Sequence, residues 1–420
     1  MTKKRMLIIP GGFIPFNDTV TLISYKHLRN LDCMMDVVAL KGKNDEGLEE
    51  ELNKDDNWKK FSIEYVCKYE QAIATADKRN VLEGIYNIIR YCFFCVKKTN
   101  KISYDFVYSS SVPAFTHLAA YLVKLRKNVK WIASFSDPLY KSPYKYDKES
   151  FREYSLLNKV GFLVYIFIYM NGFYEKIAMK KADKLIFICE EQRDFMISHY
   201  KNKDELRKKS IIIPLNYIEG WKLYEDLIIA SSSNIEKSDN KLKLAHFGRI
   251  YGLRKIDKFL IALNQLKDEI PNLKDKLQIT FYGELIERYK KQIETFKLTS
   301  IIKVYDKIPY AEAMQEMISS DVLLLFDTIL ETDSLQPYFP SKSLEYILLK
   351  KPLFILAMKN SPTFRIFSEL NYTCTPYEVS EIKNQLKNLI SGEYEKLSYD
   401  INQFENEKCV EELINYINSN

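Results

Sequence analysis

Lys342 and Glu345 lie three residues apart in Tyr338-Phe339-Pro340-Ser341-Lys342-Ser343-Leu344-Glu345-Tyr346. That spacing puts a cation and an anion on one face of a helix. A turn-forming Pro-Ser pair leads into them, and apolar runs flank the segment at 322–326 and 352–356. Strand, loop, helix start and strand together can offer a cation to phosphate and a carboxylate to sugar hydroxyls. The same residues also read as a surface Lys and Glu at an ordinary helix start.

A second constellation is His246-Phe247-Gly248-Arg249-Ile250-Tyr251-Gly252-Leu253-Arg254-Lys255. Gly248 lets the backbone turn directly after an apolar run, and Arg249 and Arg254 are suited to phosphate oxygens. Fixed cations there can neutralise charge developing on a departing phosphate. Gly11 and Gly12 follow the first apolar run and either admit a ligand close to the backbone or make a plain tight turn. They are not part of a G-x-G-x-x-G, so a dinucleotide fingerprint is absent. Ser109, Ser110 and Ser111 close another run before Val112-Pro113; their hydroxyls cap the next helix or face a ligand. His117, one turn into that helix, is either packed or part of the same site. Asp137, before Pro138, is either a cap or a carboxylate able to accept a hydroxyl proton.

Other chemistries lack their residues. There is no D-x-D and no His/carboxylate cluster, so a metal-dependent diphosphate site has no usual anchor. P-loop and G-x-S-x-G signatures are missing as well. Cys92 and Cys95 form a lone C-x-x-C, read as helix packing, and the odd total of seven cysteines suggests a reducing compartment. A net charge of +6 without a basic-aromatic stripe gives no footprint for nucleic acid.

The elements that must position these residues alternate. Short apolar runs at 5–10, 36–40, 61–67, 105–110, 130–136, 184–189 and 210–215 are separated by helical stretches such as 19–29, 114–127 and 190–200. Several are continuous instead of alternating, as parallel strands covered on both faces require. The charged region 41–60 reads as a loop or short helix. The serine-rich and charged stretch near 231–240 is the clearest linker, after which runs at 242–247, 277–282, 301–305, 322–327, 353–357 and 372–375 restart the pattern. A final amphipathic helix is expected over 402–417. The first apolar run is too short for a signal peptide, and the longest, 160–170, is too short to span a bilayer. That long run reads as a buried helix, with a membrane-facing surface as the alternative. At 420 residues, two domains are expected. They are an N-terminal domain over 1–225, a linker over 226–240, a C-terminal domain over 241–400 and a tail helix over 401–420 packing back across the domains. Two doubly wound α/β sheets of this kind imply two domains facing a cleft.

In this order, the segments resemble family 4 glycosyltransferases of the GT-B fold, of the bacterial capsule, O-antigen and exopolysaccharide type. Gly11-Gly12 is similar to the family's first glycine loop, 109–115 to its Ser-Ser-x-Pro segment, and 135–140 to its Arg-Asp-Pro-Trp segment. Ala182-Asp183 resembles the Ala-Asp that opens a strand, 248–254 the Gly-x-x-Tyr-x-x-Arg loop, and 340–346 the Pro-Ser-Lys-x-x-Glu-Tyr motif. The resemblance implies a retaining, metal-independent transfer of sugar from a nucleoside diphosphate donor to a glycan or lipid-linked acceptor, with no cofactor. It places the protein in the cytoplasm, with peripheral contact at the inner membrane face. It implies Asp137, Arg249 and Arg254 as catalytic residues. Gly11, Gly12, Gly248, Phe339, Ser341, Lys342 and Glu345 would bind the donor, and Ser110 and His117 would lie on the acceptor side. Two positions depart from the pattern: Pro337 replaces the first Glu of a Glu-x7-Glu pair, and Ser110 stands where a His is common. Asp137 then takes the acceptor-side role, with Glu331 and Asp333 as replacement carboxylates. The alternatives are an epimerase or phosphorylase on the same fold, and a non-catalytic subunit.

Overall fold

A computed structural model describes residues 3–16, 18–72, 81–146, 161–231, 241–394 and 397–420. The chain divides into two compact units, Met1–Ile218 with Gln403–Asn420, and Glu219–Asn402.

The first unit is built on seven strands: β1 (Lys4–Gly11), β2 (Cys33–Lys41), β3 (Phe61–Lys68), β4 (Phe106–Ser110), β5 (Lys130–Ser134), β6 (Lys184–Phe187) and β7 (Ser210–Ile212). They lie in the order β3-β2-β1-β4-β5-β6-β7, and every pairing is parallel. Continuous apolar sequence is what such a sheet needs, since helices cover both faces. Met6, Leu7, Ile8 and Ile9 are accordingly all buried. The order reverses direction between β1 and β4, whose carboxyl ends therefore open a crevice.

The second unit repeats the plan with β8 (Leu242–Phe247), β9 (Leu277–Tyr282), β10 (Ile302–Tyr305), β11 (Val322–Phe326), β12 (Leu353–Leu356) and β13 (Cys374–Thr375). The order is β10-β9-β8-β11-β12-β13, again all parallel. Its switch point lies between β8 and β11. The helix Asp257–Glu269 covers one face, burying Phe259, Leu260, Leu263 and Leu266 against Phe326 and Phe354.

Several strands stop earlier than their apolar runs. β5 ends at Ser134 and β6 at Phe187, because Phe135 and the residues after Phe187 turn into loops that carry polar groups. The charged region 41–60 forms a helix at Glu46–Lys54 and a 3-10 turn at Asp56–Lys60. Cys92 and Cys95 are buried free thiols within the helix Val81–Lys98. The expected single tail helix is instead a 3-10 turn (Ile401–Phe404), a four-residue helix (Asn406–Cys409) and a helix (Glu411–Asn418). Backbone pairing of Tyr217 with Phe404 and Asn406 interrupts it. Asn406 also donates to Lys26 O at 2.8 Å and to Asn216 Oδ1 at 2.9 Å.

Of the expected linker, 226–231 belong to the helix Lys222–Ser231, which buries Tyr224 and Leu227 against the helix Ser343–Leu349. The remainder, 232–240, lies outside the described residues. So does most of the apolar run 160–170: its first residue, and the side chains through 169. No described helix is long and apolar enough to cross a membrane.

Candidate functional site

Three loops meet at the β8/β11 switch point. The first leaves β8 at Gly248, whose φ of +106° favours glycine. The second leaves β9 at Gly283, where φ is +136° and a Cβ would stand 2.6 Å from Gly248 O. The two backbones are thus in contact, tied by Gly248 N–H to Tyr282 O at 2.8 Å and Ile250 N–H to Glu284 O at 3.0 Å. The third loop runs from β11 to the helix Ser343–Leu349 and carries Phe339, Ser341 and Lys342.

Lys342 reaches back from that loop to the end of β8. Its Nζ donates to Phe247 O at 2.5 Å and lies 3.0 Å from His246 Nε2. Burial and the nearby Arg254 push its amine well below the usual lysine range, while Asp327 and Glu345 oppose them. Arg254 donates from Nη1 to Arg249 O at 3.1 Å, and its buried Nε has no hydrogen-bond partner among the described residues. Arg249 is more exposed and pairs with Glu284 at 2.8 Å. Tyr251 underlies both guanidinium groups, 4.9 Å from that of Arg249 and 5.9 Å from that of Arg254. The structure therefore brings Gly248, Arg254 and Lys342 together and leaves Arg249 at the rim.

Glu345, one turn on, is held from inside. Tyr310 donates its hydroxyl to Glu345 Oε1 at 2.8 Å. Tyr224 is buried close enough for Glu345 to raise its phenol, after burial itself. Phe339 is half-buried, its ring 6.5 Å from that of Phe367, and Ser341 is exposed. The helix that Lys342 begins has only seven residues, so the cations, more than a helix dipole, define the charge of this site. Glu331 pairs with Lys255 at 3.5 Å, and Pro337 is buried.

Sequence reasoning did not single out Asp327, the first residue after β11. It is fully buried. Its Oδ1 accepts from Thr328 N–H at 2.7 Å, and its Oδ2 has no hydrogen-bond partner among the described residues. Burial pushes its carboxyl up to about 6, against the opposing influence of Thr363, the Thr328 amide, Arg254 and Ser361. The signal was available: an acid ending an apolar run beside the run that ends in Gly248.

In the first unit, Gly11 has a φ of +81°, and a Cβ there would run into the Pro113 ring. A Cβ on Gly12 would meet Phe16 at 2.8 Å. Gly11 thus packs against the segment after β4, and Gly12 against Phe16 of its own loop and Thr21 of the helix that follows. Ser110 donates to Pro10 O at 2.8 Å and is buried. His117 is fully buried, its Nδ1 2.8 Å from Ser109 Oγ, which also accepts from Trp131 Nε1 at 2.8 Å. Burial pushes the imidazole down to about 3, so it is neutral and packs beside Phe135. Its contacts are with Ser109, Trp131 and Phe135 of the same unit.

Asp137 is exposed just beyond the end of β5. Its loop is anchored on both sides. Ser111 Oγ accepts from Ser136 N–H at 2.9 Å, and Gln192 donates to Ser136 O at 2.8 Å. Glu175, itself buried, accepts the amides of Leu139 and Tyr140 at 2.5 and 3.0 Å. A carboxylate on a loop held this way is presented in a fixed place. Among the described residues no group of three or more His, Cys, Asp or Glu side chains is placed to hold a metal ion.

The sequence matches no family model and no curated protein. The fold does match solved structures over essentially the whole chain. The HepE protein of Anabaena in complex with UDP-glucose aligns with a TM-score of 0.62 and 14% identity, covering 100% of both chains. The lipopolysaccharide outer core galactosyltransferase WaaB, in its apo form, aligns at 0.57 and 12%, covering 99% of each. A UDP-N-acetylglucosamine 2-epimerase aligns at 0.54 and 12%, covering 100% of this chain and 98% of that one. At such identities the likeness shows the fold alone: two Rossmann-like α/β domains of the GT-B type.

Proposed function

We propose that this protein is a glycosyltransferase that moves a sugar from a nucleoside diphosphate sugar to a glycan or lipid-linked acceptor, with retention, in bacterial surface polysaccharide assembly. The observation that carries the proposal is the placing of Lys342 and Arg254 beside the two glycine loops at the β8/β11 switch point. Glu345 stands one turn further on. Cations at such a switch point suit a diphosphate, and a carboxylate close by suits the ribose hydroxyls. The UDP-glucose bound to HepE and the galactosyl transfer in the name of WaaB support the same reading.

In the transfer, the bond from the sugar to the diphosphate breaks and the acceptor oxygen bonds to the sugar. The nucleoside diphosphate leaves with the electron pair, and the hydroxyl proton passes to a base. Lys342, Arg254 and Arg249 meet the charge on the departing diphosphate, and no metal is required of them. Asp137, exposed on its anchored loop, is the carboxylate on the acceptor side. The reaction belongs at the cytoplasmic face of a membrane, where a lipid-linked acceptor would be met by peripheral contact.

The test is a thermal-shift screen against UDP, GDP, ADP and CMP and their sugars, followed by product analysis with and without acceptor. Selective stabilisation by one nucleotide and sugar transfer to an added acceptor are expected. Epimerised donor without acceptor would move the protein to the other activity found on this fold, and no nucleotide binding would make it a non-catalytic subunit.

A further inference from the structure

In the first unit the helices Val81–Lys98, Phe115–Lys127 and Gly161–Lys181 pack side by side over the sheet. The rings of Tyr91 and Phe115 meet at 5.5 Å between the first two, and Arg126 Nε donates to Asn100 Oδ1 at 3.2 Å where both end. Lys124 Nζ donates to Lys181 O at 2.9 Å and ties the second helix to the third. The carboxyl ends of all three therefore lie together.

The first helix buries Tyr91, Cys92 and Cys95 in the core, yet it is apolar on its outer side too. Ile85, Ile89 and Phe93, four residues apart, form one stripe with Tyr86 beside it. Tyr86, Ile89 and Phe93 are 63%, 62% and 66% exposed. Leu122 and Leu125 are exposed on the second helix, and Met170 and Phe173 on the third. Side chains of this kind on three neighbouring helices make a patch that suits contact with a membrane or another protein.

The charges around the patch have one sign. Lys97 lies at the end of the first helix, Lys127 at the end of the second, and Lys180 and Lys181 at the end of the third, all of them exposed. Arg90 is exposed beside Ile89. The three helices hold two acids, Glu83 in the first turn of the first and Glu175, which is buried, on the third. Cations at helix carboxyl ends suit the helix dipole, but that explains neither the apolar stripe nor the missing acids. A second copy seated on this patch by two-fold symmetry would bring the cations against their own counterparts, since such an interface pairs a surface with itself. An anionic lipid surface answers both features: its apolar boundary takes the stripe and its headgroups take the cations.

We propose that the outer faces of these three helices are the surface by which the protein lies on an anionic lipid bilayer, with Ile89 and Phe93 entering below the headgroups and Lys97, Lys127 and Lys180 among them. The inference rests on the reading above for the peripheral contact, which it locates on named residues, and takes nothing from the diphosphate site.

The test is flotation of the full chain with lipid vesicles in the absence of nucleotide. Vesicles of phosphatidylcholine mixed with phosphatidylglycerol should carry the protein, vesicles of phosphatidylcholine alone should carry little, and raised salt should release it. At roughly fivefold per cation, Lys97→Gln, Lys127→Gln and Lys180→Gln together should weaken binding to the mixed vesicles about a hundredfold. Ile89→Ser with Phe93→Ser should weaken it about tenfold or more. All five side chains are exposed, so the thermal midpoint should hold in both variants. Failure of the wild type to bind mixed vesicles overturns the proposal, as does wild-type binding in either variant. A dimer seen by light scattering and dissolved by Ile89→Ser with Phe93→Ser would also overturn it, making the patch an interface between copies. Stabilisation by nucleotide is measured separately and without lipid, so failure of this surface and failure of the donor site are told apart.

Discussion

Replacing Asp327 by asparagine should stabilise the protein, and only above a certain pH. Asp327 is fully buried at the end of β11, and burial lifts its carboxyl from the ordinary 3.8 to about 6. At about 1.4 kcal/mol per pH unit, that gap makes the charged form about 3 kcal/mol unfavourable in the folded chain. The sign follows from proton counting. Between pH 4 and pH 6 the folded chain holds a proton that the unfolded chain has lost, so this group's contribution is best at low pH and declines as pH rises through 6. The replacement amide would not titrate, would keep an oxygen for the Thr328 N–H, and could donate to the neighbouring Thr363 hydroxyl. Urea denaturation of Asp327→Asn and wild type should therefore coincide near pH 4 and diverge to a plateau above pH 6, with the variant more stable by up to about 3 kcal/mol. A variant that is less stable at pH 7.5, or a difference that does not change with pH, would refute the reasoning.

Arg254→Ala should reduce turnover about a hundredfold or more, whereas Arg249→Ala, at the rim and paired with Glu284, should cost much less; equal kinetics for wild type and Arg254→Ala would remove Arg254 from the site. Gly283→Ala adds a Cβ 2.6 Å from Gly248 O at a φ of +136° and should destabilise the fold by about 1–3 kcal/mol, read as a lower urea midpoint. Tyr310→Phe deletes the hydroxyl that holds Glu345 at 2.8 Å. It should narrow the preference for UDP over its 2′,3′-dideoxy analogue several-fold in competition binding, and an unchanged ratio would separate Glu345 from the ribose.

The fold was legible where burial writes directly into sequence. Parallel strands covered on both faces must be apolar without interruption, and β8 and β9 occupy the very residues that their runs mark out. Strand ends were less legible: Phe135 is as apolar as Ile132, and only the polar anchors supplied by Ser111 and Gln192 show that the chain has left the sheet. The tail failed for a similar reason, since its helical period continues through a point where Tyr217 takes the backbone bonds. At the site, cations and glycines stood out by type and spacing, but His246 and Asp327 did not. Each is a single polar residue at the end of an apolar strand, and each takes its meaning from partners far along the chain: Lys342 for the histidine, Thr363 and Arg254 for the aspartate.

The return of residues 403–420 to the first unit has a practical consequence for dissecting the protein. The second unit is an insertion between Ile218 and Gln403, so the chain passes between the units twice. A cut made in the serine-rich stretch would strip the first fragment of the tail whose Leu413 and Ile417 are buried on it, and leave those residues exposed on the second. Expression of 219–402 as one piece, and of 1–218 rejoined to 403–420 through a short flexible linker, respects both covalent crossings. Donor binding could then be sought in the inserted unit by itself.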